Sequence, residues 1–163
     1  MHMKKIEKGF TLLELLVVVA LIGIMSAIVM ASLSSARKGG EDTAISANLT
    51  KLQTQAELYH STFNNYGSNT SEFSGPCPIV ETDSSVSGLM GVSGVGALAF
   101  SKELVSRVGS ANTVCVVAAN GEKWAAASVL KGDSAEVACA DSTGRFKIST
   151  VDLASAITAS TCN

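Results

Sequence analysis

Aromatic residues are scarce in this chain: Phe, Trp and Tyr make up 5% of 163 residues, with one Trp and two Tyr. Any core must therefore be built from Ala, Val, Leu and Ile, and apolar residues at 47% are plentiful enough for that. Proline occurs only in Pro76-Cys77-Pro78, so a single stretch is held extended by it. Histidine is limited to His2 and His60, neither placed beside a Ser or Cys nucleophile, and the chain is not expected to be an enzyme. The four cysteines form no CxxC pair and have no nearby His, which argues against zinc, and no cofactor or metal is expected. Basic clusters stop at Lys4-Lys5 and Arg37-Lys38 under a net charge of -2, so no specific nucleic-acid partner is indicated. The length suits one domain with a modest core rather than two.

What the chain does have is one long apolar run. Phe10 to Ala31 (FTLLELLVVVALIGIMSAIVMA) holds 22 positions with a single charge, Glu14. As a helix it would span roughly 33 Å, enough for a bilayer core. Ahead of it, Met1 to Gly9 carries Lys4, Lys5 and Lys8, which keeps this end cytoplasmic and sends the rest across the membrane. An ordinary secretory signal has an apolar region of about 7–15 residues, shorter than this one, although Ala27 and Ala31 are small enough for a cleavage site. An ordinary anchor fits the length but leaves Glu14 unexplained. A buried acid costs about 2.5–3.5 kcal/mol at a membrane helix centre, and less near the interface, so it calls for a partner. A cut between Gly9 and Phe10 would create an α-amino group four residues before Glu14, on the same helical face. The carboxylate could then meet its own amine or a neighbour's, contributing register more than stability.

The junction Lys8-Gly9-Phe10-Thr11-Leu12-Leu13-Glu14-Leu15 closely resembles the class III leader of type IV pilins and the related type II secretion pseudopilins. The resemblance implies cleavage after Gly9 by a prepilin peptidase, N-methylation of Phe10, and a register role for Glu14 against the Phe10 amine of a neighbour. Gly23 falls where that family often has a helix-weakening glycine. The proline common further along is replaced by Ala31, so local melting of the helix is not implied.

Beyond the run, Ile45, Leu49, Leu52, Ala56, Tyr59 and Phe63 recur at spacings of four and three, with Lys51, Gln53, Gln55 and Glu57 off the stripe. This predicts an amphipathic helix facing a core. Gly39-Gly40 interrupts the pattern and predicts a kink or a loosened turn. From Asn64 to Gly96 the chain is rich in Ser, Gly and Asn, and Leu98–Val108 reads as a short helix. Asn120-Gly121 between two strand-like runs is a hairpin signal, and a two-residue turn would set Val117 opposite Trp124 and Cys115 opposite Ala126. A further strand, Glu136–Ala140, turns through Asp141–Gly144 into Arg145–Ile148. The fold class is α+β: a long N-terminal helix on a small antiparallel sheet, as in pilin-like folds.

Cys77, Cys115, Cys139 and Cys162 all fall on the exported side, where an even count favours two disulfides with three possible connectivities. In a simple meander Cys115 and Cys139 sit two strands apart, near ~10 Å and out of reach. That favours Cys77–Cys115 with Cys139–Cys162, the second pinning the tail, as in many pilins. A different strand order would change the pairing. Asp133, Asp141 and Asp152 lack the dense spacing of a calcium loop and read as solvated turn residues.

The expected organisation is a leader at 1–9, a transmembrane and assembly helix at 10–31, its amphipathic continuation at 32–63 and a β-sheet head at 64–163. Losing the leader would leave 9 basic against 13 acidic residues. The expected function is a type IV pilus-like structural subunit, with a secretion or DNA-uptake pseudopilin as the alternative. Its partners would be other copies or minor pilins, the prepilin peptidase, the pilus assembly machinery and the cytoplasmic membrane. It would be a single-pass membrane protein with an extracytoplasmic head, then part of a surface pilus or periplasmic pseudopilus. A reading of a different class is a tethered binding module, which needs an exposed aromatic patch on the head, with Trp124 and Tyr66 as candidates.

Overall fold

The computed structural model describes residues 9–67, 71–81, 88–132 and 135–163. It divides into two compact units, the first ending at Arg37 and the second running from Lys38 to Asn163. Helix α1 covers Leu12–Phe63, 52 residues. Gly39 and Gly40 lie inside it, and the helix runs through both without a break. Tertiary partners just beyond explain why. Arg107 Nη1 meets Glu41 at 2.9 Å, and Asp42 Oδ1 accepts from the Lys131 N–H at 2.6 Å. Such contacts offset the roughly 1 kcal/mol that each helical glycine costs.

The amphipathic stripe buries Ile45, Leu49, Leu52, Ala56 and Tyr59, but Phe63 remains 48% exposed. Phe63 is the last helical residue, and the chain leaves the core at once through Asn64, whose φ is 56°. Its ring still stacks on Tyr59 at 4.6 Å. Several polar residues beside the stripe are fasteners. Gln53 Nε2 donates to Arg145 O at 2.9 Å, Gln55 Nε2 to Val95 O at 2.8 Å, and Tyr66 Oη to Glu57 at 2.9 Å.

The sheet is an antiparallel meander of β1 (Phe73–Gly75), β2 (Thr113–Val117), β3 (Trp124–Val129), β4 (Val137–Asp141) and β5 (Phe146–Ser149). Helix α2, Leu98–Val108, has the predicted bounds. The β2–β3 register is the expected one, with Val117 opposite Trp124 and Cys115 opposite Ala126. The turn itself is wider than two residues. The closing bond joins Ala118 N–H to Lys123 O at 2.9 Å, Gly121 N–H donates to Ala118 O at 2.8 Å, and of Asn120-Gly121 only the glycine has positive φ. This is a four-residue loop on a reverse turn, which preserves the register of the shorter one.

Cys115, Val117, Trp124, Ala126, Ala138 and Ala140 share a core with the α1 stripe. The alanines let the helix approach the sheet closely. The other face, through Ala127, Val137 and Cys139, packs against Ala156 and Cys162 of the tail. That tail is a small hairpin, β6 (Ile157–Thr158) and β7 (Thr161–Cys162), which no sequence pattern predicts. Its turn places two non-glycine residues at positive φ, Ala159 at 51° and Ser160 at 61°. An L-residue in that region is strained, and Ala159 is exposed, so Ala159→Gly is expected to stabilise by about 0.5–1 kcal/mol. Urea unfolding of the detergent-solubilised chain checks this; a destabilised variant would contradict it. Trp124 and Tyr66 are both buried, with ring centres 6.4 Å apart in an edge contact, and so provide no exposed aromatic patch.

Candidate assembly site

The first turn of α1 is organised around Thr11 and Glu14. Thr11 stands just before the helix, and its Oγ1 accepts from the Glu14 N–H at 3.3 Å. In return, Glu14 Oε2 accepts from the Thr11 N–H and from Thr11 Oγ1, each at 3.0 Å. This is a capping box: it satisfies donors that a helix start leaves open and places a negative charge at the positive end of the helix dipole. Its T-x-x-E pattern is legible in the sequence, but an amine partner alone was expected for Glu14. Both bonds end on Oε2, and none of the described residues donates to Oε1. A carboxylate so held stands beside the backbone N–H that follows Phe10. An amine freed at Phe10 would arise one residue away from it. Gly9 and Phe10 precede the helix and are exposed; the remainder of the leader lies outside the described residues.

Behind this turn every residue to Gly40 is exposed, including Leu13, Leu16, Ile22, Met25 and Ile28. α1 is long and apolar enough to cross a membrane. So much uncovered apolar surface on one element needs lipid or other helices around it. In the second unit the cysteines are paired. Cys77 bonds Cys115 with Cα atoms 4.8 Å apart, and Cys139 bonds Cys162 at 5.8 Å. The first ties the stretch after β1 to β2, and the second fastens the tail hairpin to β4. All four are buried.

Residues 4–30 match the family described as the prokaryotic N-terminal methylation motif. The chain is also 44% identical over 62 residues to the type IV wide pilus major component PilA4 of Thermus thermophilus, a stretch covering 38% of this chain and 47% of that protein. The chain thus carries the N-terminal methylation motif and is similar over part of its length to a type IV pilus component. It spans about half the length of the curated relative it matches. No solved structure matches it. The arrangement of a long apolar helix on a five-stranded antiparallel sheet is itself pilin-like.

In the head of this pilin-like chain, Asp141 departs from the sequence expectation. A solvated turn residue was expected, but it is 1% exposed. Oδ1 accepts from the Thr143 N–H at 2.9 Å and Thr143 Oγ1 at 2.6 Å, and Oδ2 accepts from the Cys162 N–H at 2.8 Å. Asp141 therefore joins the β4–β5 turn to the tail, next to the Cys139–Cys162 bridge. Burial pushes its carboxyl up, but the bonds from Thr143 and Cys162 outweigh it and hold it below the usual carboxylate range. Asp152 is exposed, and Asp133 lies outside the described residues. Elsewhere in the head, burial and the Glu57 carboxylate push the Tyr66 phenol up to about 12.

A depressed folded-state carboxyl stabilises at pH above its unfolded value, near ~3.9, and that stabilisation is lost as pH falls through the folded value. Wild type is thus expected to lose more stability between pH 5 and pH 2 than Asp141→Asn does. At pH 7 the substitution should cost about 1–3 kcal/mol. Near-UV melting of the Trp124 signal at both pH values checks this, and equal acid sensitivity of the two proteins would contradict it.

Proposed function

We propose that this chain is the structural subunit of a type IV pilus-like filament, cleaved between Gly9 and Phe10, methylated at Phe10 and polymerised through its N-terminal helix. The observation that carries the reading is the uncovered apolar helix that starts on Glu14, preceded by a basic leader. A helix of this kind can remain in the bilayer before assembly and then exchange lipid for the helices of neighbouring copies. Packing of Leu, Val and Ala surfaces would hold the bundle, while Glu14 sets the stagger. In this reading the peptidase and the assembly machinery act at the membrane, residues 10–31 form the bundle, and residues 64–163 make the head. The two disulfides are expected to form on the exported side.

The relative's printed role in a wide pilus supports a pilus subunit over a pseudopilin. Immunogold labelling of intact cells and of the sheared surface fraction from the native host tests the choice. Labelled filaments outside the cell are expected. Label confined to the envelope with short periplasmic assemblies would instead give the pseudopilin, and membrane-bound monomer would give a tethered module.

A further inference from the structure

Helix α1 changes character just after Gly39-Gly40. Every described residue from Gly9 to Gly40 is exposed, and the first half-buried ones are Glu41 and Asp42. The turn that joins these two stretches is weak as helix. Each glycine shifts the local balance toward the open chain by about fivefold against alanine. A Cβ at either glycine would meet nothing within 4 Å, so no close packing demands glycine there. Thr43 adds to the weakness, because its Oγ1 donates to Gly39 O at 2.9 Å, a back-bond that loosens and bends helices. What the glycine pair supplies is conformational freedom.

The groups that close this turn come from distant parts of the chain. Asp42 Oδ1 accepts from the Lys131 N–H at 2.6 Å, and Oδ2 accepts from the Gly132 N–H at 3.0 Å. Two N–H groups on one carboxylate are charge-assisted, and together they favour the closed turn by a factor on the order of ten or more. Gly132, unlike Gly39 and Gly40, is required by the fit, since a Cβ there would run into the Asp42 carboxylate. This loop is itself anchored by Leu130, which is buried and whose N–H donates to Glu136 O at 2.9 Å. Arg107 of α2 holds Glu41 at 2.9 Å and Glu103 at 2.6 Å, and Lys131 Nζ stands 3.8 Å from Glu41. These ion pairs are partly exposed and contribute less than the Asp42 bonds. Three residues beyond Asp42 the fully buried Ile45 begins the core stripe, which limits how far an opening can spread.

We propose that Glu41, Asp42, Arg107 and the Lys131-Gly132 loop form a latch over the turn Gly39–Thr43, and that its release unwinds this turn alone while the core from Ile45 onward stays folded. Opening these residues from about 1.5 Å to about 3.3 Å of rise each adds roughly 9 Å of chain. The inference concerns the chain itself and does not rest on the filament reading. Its test is hydrogen exchange on the full chain in detergent micelles, read by mass spectrometry with residue-level fragmentation. The amides of Thr43 to Ser46 report on the turn, because in a helix they bond the carbonyls of Gly39 to Asp42. Asp42→Ala is expected to exchange there about tenfold faster than wild type, with the amides of Leu49 to Tyr59 unchanged. Adding Gly39→Ala and Gly40→Ala to Asp42→Ala should slow that exchange again by about twentyfold, to the wild-type rate or below. Trypsin cleavage after Arg37 and Lys38 should rank the three proteins in the same order. Unchanged protection in Asp42→Ala, or fast exchange that the alanines do not slow, would overturn the latch. Faster exchange through Leu49 to Tyr59 would also overturn it, because Asp42 would then stabilise the whole head rather than one turn.

Discussion

Glu14→Val is expected to insert in the membrane as wild type does, yet to yield about tenfold less sheared filament or lower still. Insertion depends on the apolar run and the lysines of the leader, and neither is touched. An acid inside a membrane helix costs up to about 2.5–3.5 kcal/mol, so valine there eases insertion rather than hindering it. The substitution also breaks the capping box with Thr11, but losing a cap costs only about 0.5–2 kcal/mol. A large assembly defect must therefore come from contacts between copies. Glu14→Gln sharpens the point, because it keeps an acceptor for Thr11 and loses the charge. If the charge sets the stagger, Gln assembles poorly while the helix start stays capped. The membrane fraction and the sheared fraction, quantified together, read both effects. Wild-type filament from Glu14→Val would remove the register role.

Removing the Cys139–Cys162 bridge, as Cys139→Ser with Cys162→Ser, is expected to destabilise the head by about 3 kcal/mol. The bridge joins residues 23 apart and is the covalent link between β4 and the tail hairpin. Without it the hairpin relies on the Cys162 N–H bond to Asp141, the Arg145 bond to Cys162 O and the small apolar contact through Ala156. Two buried hydroxyls would add their own desolvation cost. Urea unfolding followed by Trp124 fluorescence, in detergent at neutral pH, should show the loss, along with earlier protease cleavage near the C-terminal end. A change below about 1 kcal/mol would mean that noncovalent packing holds the tail.

Local patterns made much of this architecture readable. The three- and four-residue spacing from Ile45 to Tyr59 predicts the buried stripe, and Asn120-Gly121 predicts the register that sets Val117 against Trp124. Elements defined by distant partners were harder. β1 is three residues, Phe73–Gly75, in a Ser/Gly-rich stretch, and only its pairing with β2 makes it a strand. The tail hairpin turns on Ala159-Ser160, residues with no preference for positive φ, so nothing in the composition announced it. Asp141 resembles any turn aspartate until the tail folds over it. Thr11 is a different case, because its capping partner lies three residues away and the pattern was visible. Gly39-Gly40 shows the converse, where a sound local penalty was outweighed by Asp42 and Glu41 holding the next turn.

Intact-mass analysis of protein from the sheared, pelleted surface fraction of the native host tests the central claim most directly. The account predicts a mass beginning at Phe10, increased by one methyl group and reduced by four hydrogens for two disulfides. Full-length precursor confined to membranes, in cells whose prepilin peptidase is active, would contradict it.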